Sequence, residues 1–112
     1  MESQRQSKVS RLLQKELSDI FRGEANNLFG GGMISVTMVR VTPDLAIAKV
    51  YVSLFPPDRK KELFETVNVQ AKTIRHELGR RVRNQLRLVP ELHFFIDDSI
   101  DYAQRIDELL KS

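Results

Sequence analysis

The sequence predicts an α+β domain built on a three-stranded sheet. Two kinds of hydrophobic period alternate along the chain, and turn chemistry separates them. Apolar residues recur at helical spacing from Val9 to Phe21 and from Phe64 to Leu86. Between and after these stretches lie β-branched runs at Met33–Val41, Leu45–Phe55 and Glu91–Ile96. The order is helix, strand, strand, broken helix, strand, helix. With 112 residues the chain makes one domain, residues 1–112.

The first helix is expected over Gln4–Arg22, with Val9, Leu12, Leu13, Leu17 and Ile20 on one face and Gly23 as its stop. A loop comes next and ends in Gly30-Gly31-Gly32, read as a flexible turn. A phosphate-binding loop would need a helix after it, and a strand comes instead. Met33–Val41 is the first strand, and Thr42-Pro43-Asp44 turns the chain. In the second strand Ala46, Ala48, Val50, Val52 and Leu54 face one way, and Ile47, Lys49, Tyr51 and Ser53 the other. The small alanines imply a helix lying close on their side. Pro56-Pro57 ends this strand, and Asp58 is placed to cap the next helix.

An unbroken helix over Asp58–Arg87 would run about 45 Å at ~1.5 Å per residue. A domain of this length is only roughly 35 Å across, so a kink is expected. Val67-Asn68-Val69 and Gly79 are its weakest points by helix propensity. Pro90 closes the region. Glu91–Ile96 is the third strand, with Leu92, Phe94 and Ile96 on one face and His93 facing outward. Asp97-Asp98-Ser99 is a cap cluster before a final helix, Ile100–Leu110.

The charge balance bounds the partners. Eighteen Lys and Arg against fifteen Asp and Glu give a net charge of +3, and the pI is near 9.4, so anionic partners are favoured. The charge concentrates in KTIRHELGRRVRNQLR, Lys72 to Arg87, with six Lys or Arg and one acid, Glu77. On a helix, Ile74, Leu78, Val82 and Leu86 share one side. Lys72, His76, Arg80, Arg83 and Arg87 recur nearly opposite, flanked by Arg75 and Arg81. Ordinary solvated helix faces mix signs; this one is nearly all positive, and guanidinium pairs bidentately with phosphate oxygens.

No catalytic constellation is present. His76 and His93 sit on different elements, and no cysteine offers a nucleophile, a disulfide or a metal ligand. No cofactor, metal or small-molecule substrate is expected. The polar start MESQRQSKVSRLLQKEL argues against a secretory signal, and no apolar run approaches the ~20 residues of a membrane span. A cytoplasmic monomer is the expectation. Tyr51 and Phe95 are candidates to share the open sheet face, with Lys49 and Arg40 adding charge.

Three segments carry a family resemblance: VRVTPDLAIAKVYVS from Val39 to Ser53, IRHELG from Ile74 to Gly79, and VPELHFFIDDS from Val89 to Ser99. RIDELL at Arg105–Leu110 and the N-terminal helix, with Arg11-Leu12-Leu13 and Lys15-Glu16-Leu17, extend the match over nearly the whole chain. The sequence resembles the ribosome-binding factor A family of small-subunit assembly factors. The resemblance implies a type II KH-like fold, α-β-β-α-kink-α-β, with a three-stranded sheet and a C-terminal helix. It implies a non-enzymatic role: binding 16S rRNA on the free 30S ribosomal subunit in late maturation, above all in cold growth. The sequence departs from the family at several places, among them Ala103 where a glycine is frequent. Gln70-Ala71-Lys72 stands where Ala-x-Gly is usual at the kink, and Asn84-Gln85 lengthens the stretch before Pro90 by two residues. No Gly-x-x-Gly loop lies between the two later helices.

The expected RNA-binding residues are Lys72, Arg75, Arg80, Arg81, Arg83 and Arg87, extended by Arg5, Lys8 and Arg11. The alternative is a KH-like protein-interaction module with no RNA contact, which would use the open sheet face while the arginines only keep the chain soluble.

Overall fold

A computed structural model describes residues 2–97. Helix α1 spans Gln4–Gly23, a single turn of helix α2 spans Ala25–Leu28, and strands β1 and β2 span Met33–Val41 and Ile47–Phe55. A 3₁₀ turn at Pro57–Arg59 leads into α3, Lys60–Val69, and α4, Ala71–Val82. Strand β3, Glu91–Ile96, comes last. The expected helix at Ile100–Leu110 and its cap at Asp98-Ser99 lie outside the described residues.

The sheet order is β1-β2-β3, with β1 antiparallel and β3 parallel to β2. The described helices cover one face only. Ala48, Val50, Val52 and Leu54 point into them and are buried. They meet Leu13 and Leu17 of α1, Leu63 and Val67 of α3, and Ile74, Leu78 and Val82 of α4 in one apolar core. Phe21 packs at its end between Phe29, 5.7 Å away, and Phe94, 6.1 Å away.

Helix α1 is tied down at its first turn. Ser3 and Gln6 form a reciprocal capping box, and the Gln6 side-chain amide also donates to the Val41 carbonyl at 2.8 Å. One buried side chain thereby caps the helix and fixes it to β1.

Several boundaries differ from those the sequence suggests. Strand β2 begins at Ile47, because Thr42–Ile47 closes on itself. The Thr42 hydroxyl and the Ala46 amide both donate to the Asp44 carboxylate, and Leu45 adopts φ 60°. These bonds hold Asp44 below the usual carboxylate range, Thr42 contributing most. Ala46 is therefore exposed in a turn rather than buried beneath a helix. Strand β1 carries a bulge: Val36 pairs with Val52 and Met38 with Tyr51, leaving Thr37 unpaired between them. The buried phase accordingly shifts from Ile34 and Val36 to Val39 and Val41.

The long helix breaks at Gln70, one residue past Val67-Asn68-Val69, while Gly79 stays within α4. It also ends earlier than expected. Gln85 and Leu86 both donate to the Val82 carbonyl, and the chain leaves the helix there, so Arg83 and Arg87 stand on the connection to β3. Asp58 does not cap α3; Arg59 occupies that position without a side-chain cap bond.

The glycine loop is two things at once. Gly30 and Gly31 take φ 55° and 83°, the left-handed turn expected of glycine. Gly32 is instead a packing residue: a Cβ there would lie 2.5 Å from Leu63 Cδ2 and 3.1 Å from the Phe29 carbonyl. Arg59 holds the loop in place by donating to the Phe29 and Gly30 carbonyls, each at 3.0 Å. Gly32→Ala is expected to cost about 1–3 kcal/mol in urea unfolding, as overpacking does. Gly23→Ala, where a Cβ meets open space, is expected to leave stability unchanged or slightly raised.

Candidate nucleic-acid interface

Helix α4 turns Ile74, Leu78 and Val82 into the core, which leaves its opposite side to solvent. The connection from Arg83 to Pro90 then folds back beside it. Between the two runs an open groove lined by Lys72, Arg75, His76, Gly79, Arg80, Arg83, Arg87, Leu88 and Val89. The side chains expected at one helical spacing therefore do come together, but from two elements rather than one. The connection comes within ordinary van der Waals reach of Gly79: a Cβ at that position would meet Val89 Cγ2 at 3.4 Å.

The cations differ in what else they hold. Arg75 donates to the Val89 carbonyl at 2.7 Å and to the Pro90 carbonyl at 3.2 Å. It clamps the connection onto α4, and since carbonyls are neutral its charge still faces the groove. Arg80 reaches Glu77 at 3.4 Å. Arg81 is drawn elsewhere: its Nε lies 3.3 Å from Glu77 and its Nη1 3.5 Å from Glu16, bridging α4 to α1. It does not line the groove. Lys72, Arg83 and Arg87 are exposed and have no carboxylate partner among the described residues.

The N-terminal cations divide as well. Arg5 lines a second concavity with Arg75, Arg87, Leu88 and Val89, so it continues the groove past the Thr42–Ile47 turn. Arg11 instead lines the outer side of α1 with Lys15 and Arg22. Lys8 is exposed on α1 and lines neither concavity. Leu88 is the groove residue that periodicity missed. It is 84% exposed, an apolar side chain held in a basic wall. The only signal for it is its position beyond the helical stripe that ends at Leu86.

Among the described residues no group of three or more His, Cys, Asp or Glu is placed to hold a metal ion. No described helix is long and apolar enough to cross a membrane.

Helices on one face of a sheet with one parallel and one antiparallel pair, and a broken helix before the parallel strand, define a type II KH-like domain. The comparisons with known proteins place it further. The family model described as ribosome-binding factor A matches residues 5–110. A ribosome-binding factor A of Flavobacterium johnsoniae is 48% identical over 111 residues, covering 98% of this chain and 85% of that one. One from Cytophaga hutchinsonii is 46% identical over 110 residues, covering 98% and 83%. The crystal structure of ribosome-binding factor A from Thermus thermophilus superposes with a TM-score of 0.68 at 20% identity, over 81% of this chain and 94% of that one. A homology model of the Thermus thermophilus factor, fitted into a cryo-electron-microscopy map of a complex with the 30S subunit, aligns with a TM-score of 0.61. It is 25% identical, over 78% of this chain and 89% of that one. The chain belongs to the ribosome-binding factor A family.

The two classes of arginine are expected to separate on substitution. Arg75→Ala removes two bonds from a charged donor and should lower stability by about 1–2 kcal/mol, with faster amide exchange around residues 88–91. Arg83→Ala and Lys72→Ala should stay within about 0.5 kcal/mol of the parent in the same urea titration.

Proposed function

We propose that this protein binds 16S rRNA on the free small ribosomal subunit and assists the late maturation of that subunit without catalysing a reaction. The observation that carries the reading is the groove between α4 and the Arg83–Pro90 connection. Lys72, Arg83 and Arg87 have no acidic partner there among the described residues, and Arg75 fixes the connection that bears two of them. Uncommitted guanidinium and ammonium groups on a rigid frame match an RNA phosphate backbone better than they match an ordinary solvated surface. Family membership supports the same partner, as does the Thermus thermophilus factor fitted in its 30S complex.

Arg80, which already lines the groove, turns to phosphate when phosphate competes with Glu77, and Arg5 extends the groove across the β1–β2 turn. Lys8 and Arg11 lie on α1 outside it and are proposed as peripheral contacts. Arg81, held between Glu16 and Glu77, contributes to the frame instead. The protein acts as a monomer in the cytoplasm, by occupancy. It holds rRNA in one arrangement while the subunit matures, and its effect is largest in the cold, where misfolded RNA escapes slowly. Occupancy can favour maturation only if the immature subunit is bound more tightly than the mature one.

One observation favours a protein contact beside the RNA contact. Met33 and Phe55 pair across β1 and β2 at one end of the sheet face that no described helix covers, each 59% exposed. Two adjacent exposed apolar side chains suit a protein surface on the same subunit.

Co-sedimentation with purified small subunits, large subunits and whole ribosomes tests the reading. Binding is expected on free small subunits alone. Its affinity should fall with salt at a log–log slope of about −2 to −3, from roughly three neutralised phosphates. Arg83→Glu with Arg87→Glu should abolish it without changing the melting temperature. Salt-independent binding that survives both reversals would move the contact to Met33 and Phe55 and reject the phosphate mechanism.

A further inference from the structure

The face of the sheet that no described helix covers carries two cross-strand rows of unlike character. Arg40 pairs with Lys49 and Lys49 with His93, so two cations and an imidazole run across β1, β2 and β3. Two residues further along, Met38 pairs with Tyr51 and Tyr51 with Phe95, an apolar row parallel to the first. Two residues along a strand span about 6.7 Å, so the rows lie side by side.

The basic row is not explained by the fold. Like charges directly opposite one another destabilise a sheet, and a carboxylate at any of these positions would relieve it. Glu91 reaches only His93, at 3.7 Å. Among the described residues, no carboxylate pairs with Arg40 or Lys49, and the Arg40 Nε donates instead to the Met38 sulfur at 3.4 Å. In the second row the Tyr51 and Phe95 rings stack with centroids 5.3 Å apart and planes 27° apart, yet Phe95 remains 41% exposed. The outer side of Phe95 is thus open to a further ring.

We infer that this face is a second RNA site, which takes unpaired bases of a single strand on Phe95 and Tyr51 and their phosphates on Lys49 and Arg40. Aromatic side chains on neighbouring strands accept unstacked bases, and a parallel line of cations tracks the backbone that joins them. A duplex does not fit, because its bases are already stacked on each other. The site lies on the opposite side of the sheet from the groove. The Arg5 concavity ends at Asp44–Ala46, and Thr42 lines the hollow that holds Arg40, Lys49 and Tyr51, so the two sites meet at the β1–β2 turn. The inference rests on the reading that RNA is the partner.

The chain has no tryptophan and two tyrosines, Tyr51 and Tyr102, so Tyr102→Phe in the full chain leaves Tyr51 as the only such fluorophore. The probe is single-stranded hexauridylate at low salt. Saturable quenching of Tyr51 is expected. Phe95→Leu with Lys49→Gln should weaken binding of the same oligonucleotide about tenfold by anisotropy, with an unchanged melting temperature. Arg83→Glu with Arg87→Glu should keep the quenching while losing the small subunit, so failure of the groove and failure of this face read out separately. Oligonucleotide binding that neither quenches Tyr51 nor responds to Phe95 and Lys49 would overturn the inference. So would quenching that appears only after residues 98–112 are removed, since the chain itself would then be the occupant.

Discussion

The parallel pairing of β3 with β2 is the constraint on which the rest of the architecture depends. Antiparallel neighbours need only a short turn, as Thr42–Ala46 shows between β1 and β2. A parallel neighbour requires the chain to return to the end of the sheet where β2 began. Residues 56–90 make that return with two helices, and both must lie on the same face to bury Leu63, Val67, Ile74, Leu78 and Val82 against β2. The return also fixes where α4 can stop. From Val82 the chain must still reach Glu91 beside Ile47, so Arg83–Pro90 folds back along α4 instead of continuing it. The basic groove is the by-product of that reversal.

Much of this was legible in the sequence, because burial on one face imposes periods that survive in the residues. The core stripe of α1, the alternation of β2 and the limits of β3 are all set by which side chains meet the core. The bulge at Thr37 leaves a trace too, as a slip of phase between Ile34-Val36 and Val39-Val41. The end of α4 was not legible. Arg83 to Arg87 keeps a helical pattern, with Leu86 in register with Val82, and Leu86 still packs against the core from the loop. Local preference and tertiary demand gave different answers there, and the demand of the parallel strand prevailed.

The same limit applies to the arginines. Composition marks the segment as basic, yet nothing in the sequence distinguishes Arg75, which clamps two carbonyls, from Arg83, which has no carboxylate partner among the described residues. That distinction depends on what folds back opposite each side chain. Arg81 is the sharpest case: its bridge partner Glu16 lies sixty-five residues away in sequence. A charge cluster read from sequence is therefore a mixture of frame and interface, and only the fold sorts one from the other.

The break between α3 and α4 bears on the missing glycine. Gln70 makes the break with φ −90° and ψ 9°, a conformation open to any L-residue, while its amide still donates to the Thr66 carbonyl at 2.9 Å. No left-handed residue is needed, so the motif can lose its glycine and keep its kink. Where that glycine is usual, Lys72 now stands in the first turn of α4. A cation there opposes the helix dipole, at a cost of about 0.3–0.5 kcal/mol for so exposed a side chain. A phosphate in the proposed groove, which Lys72 lines, would offset that cost.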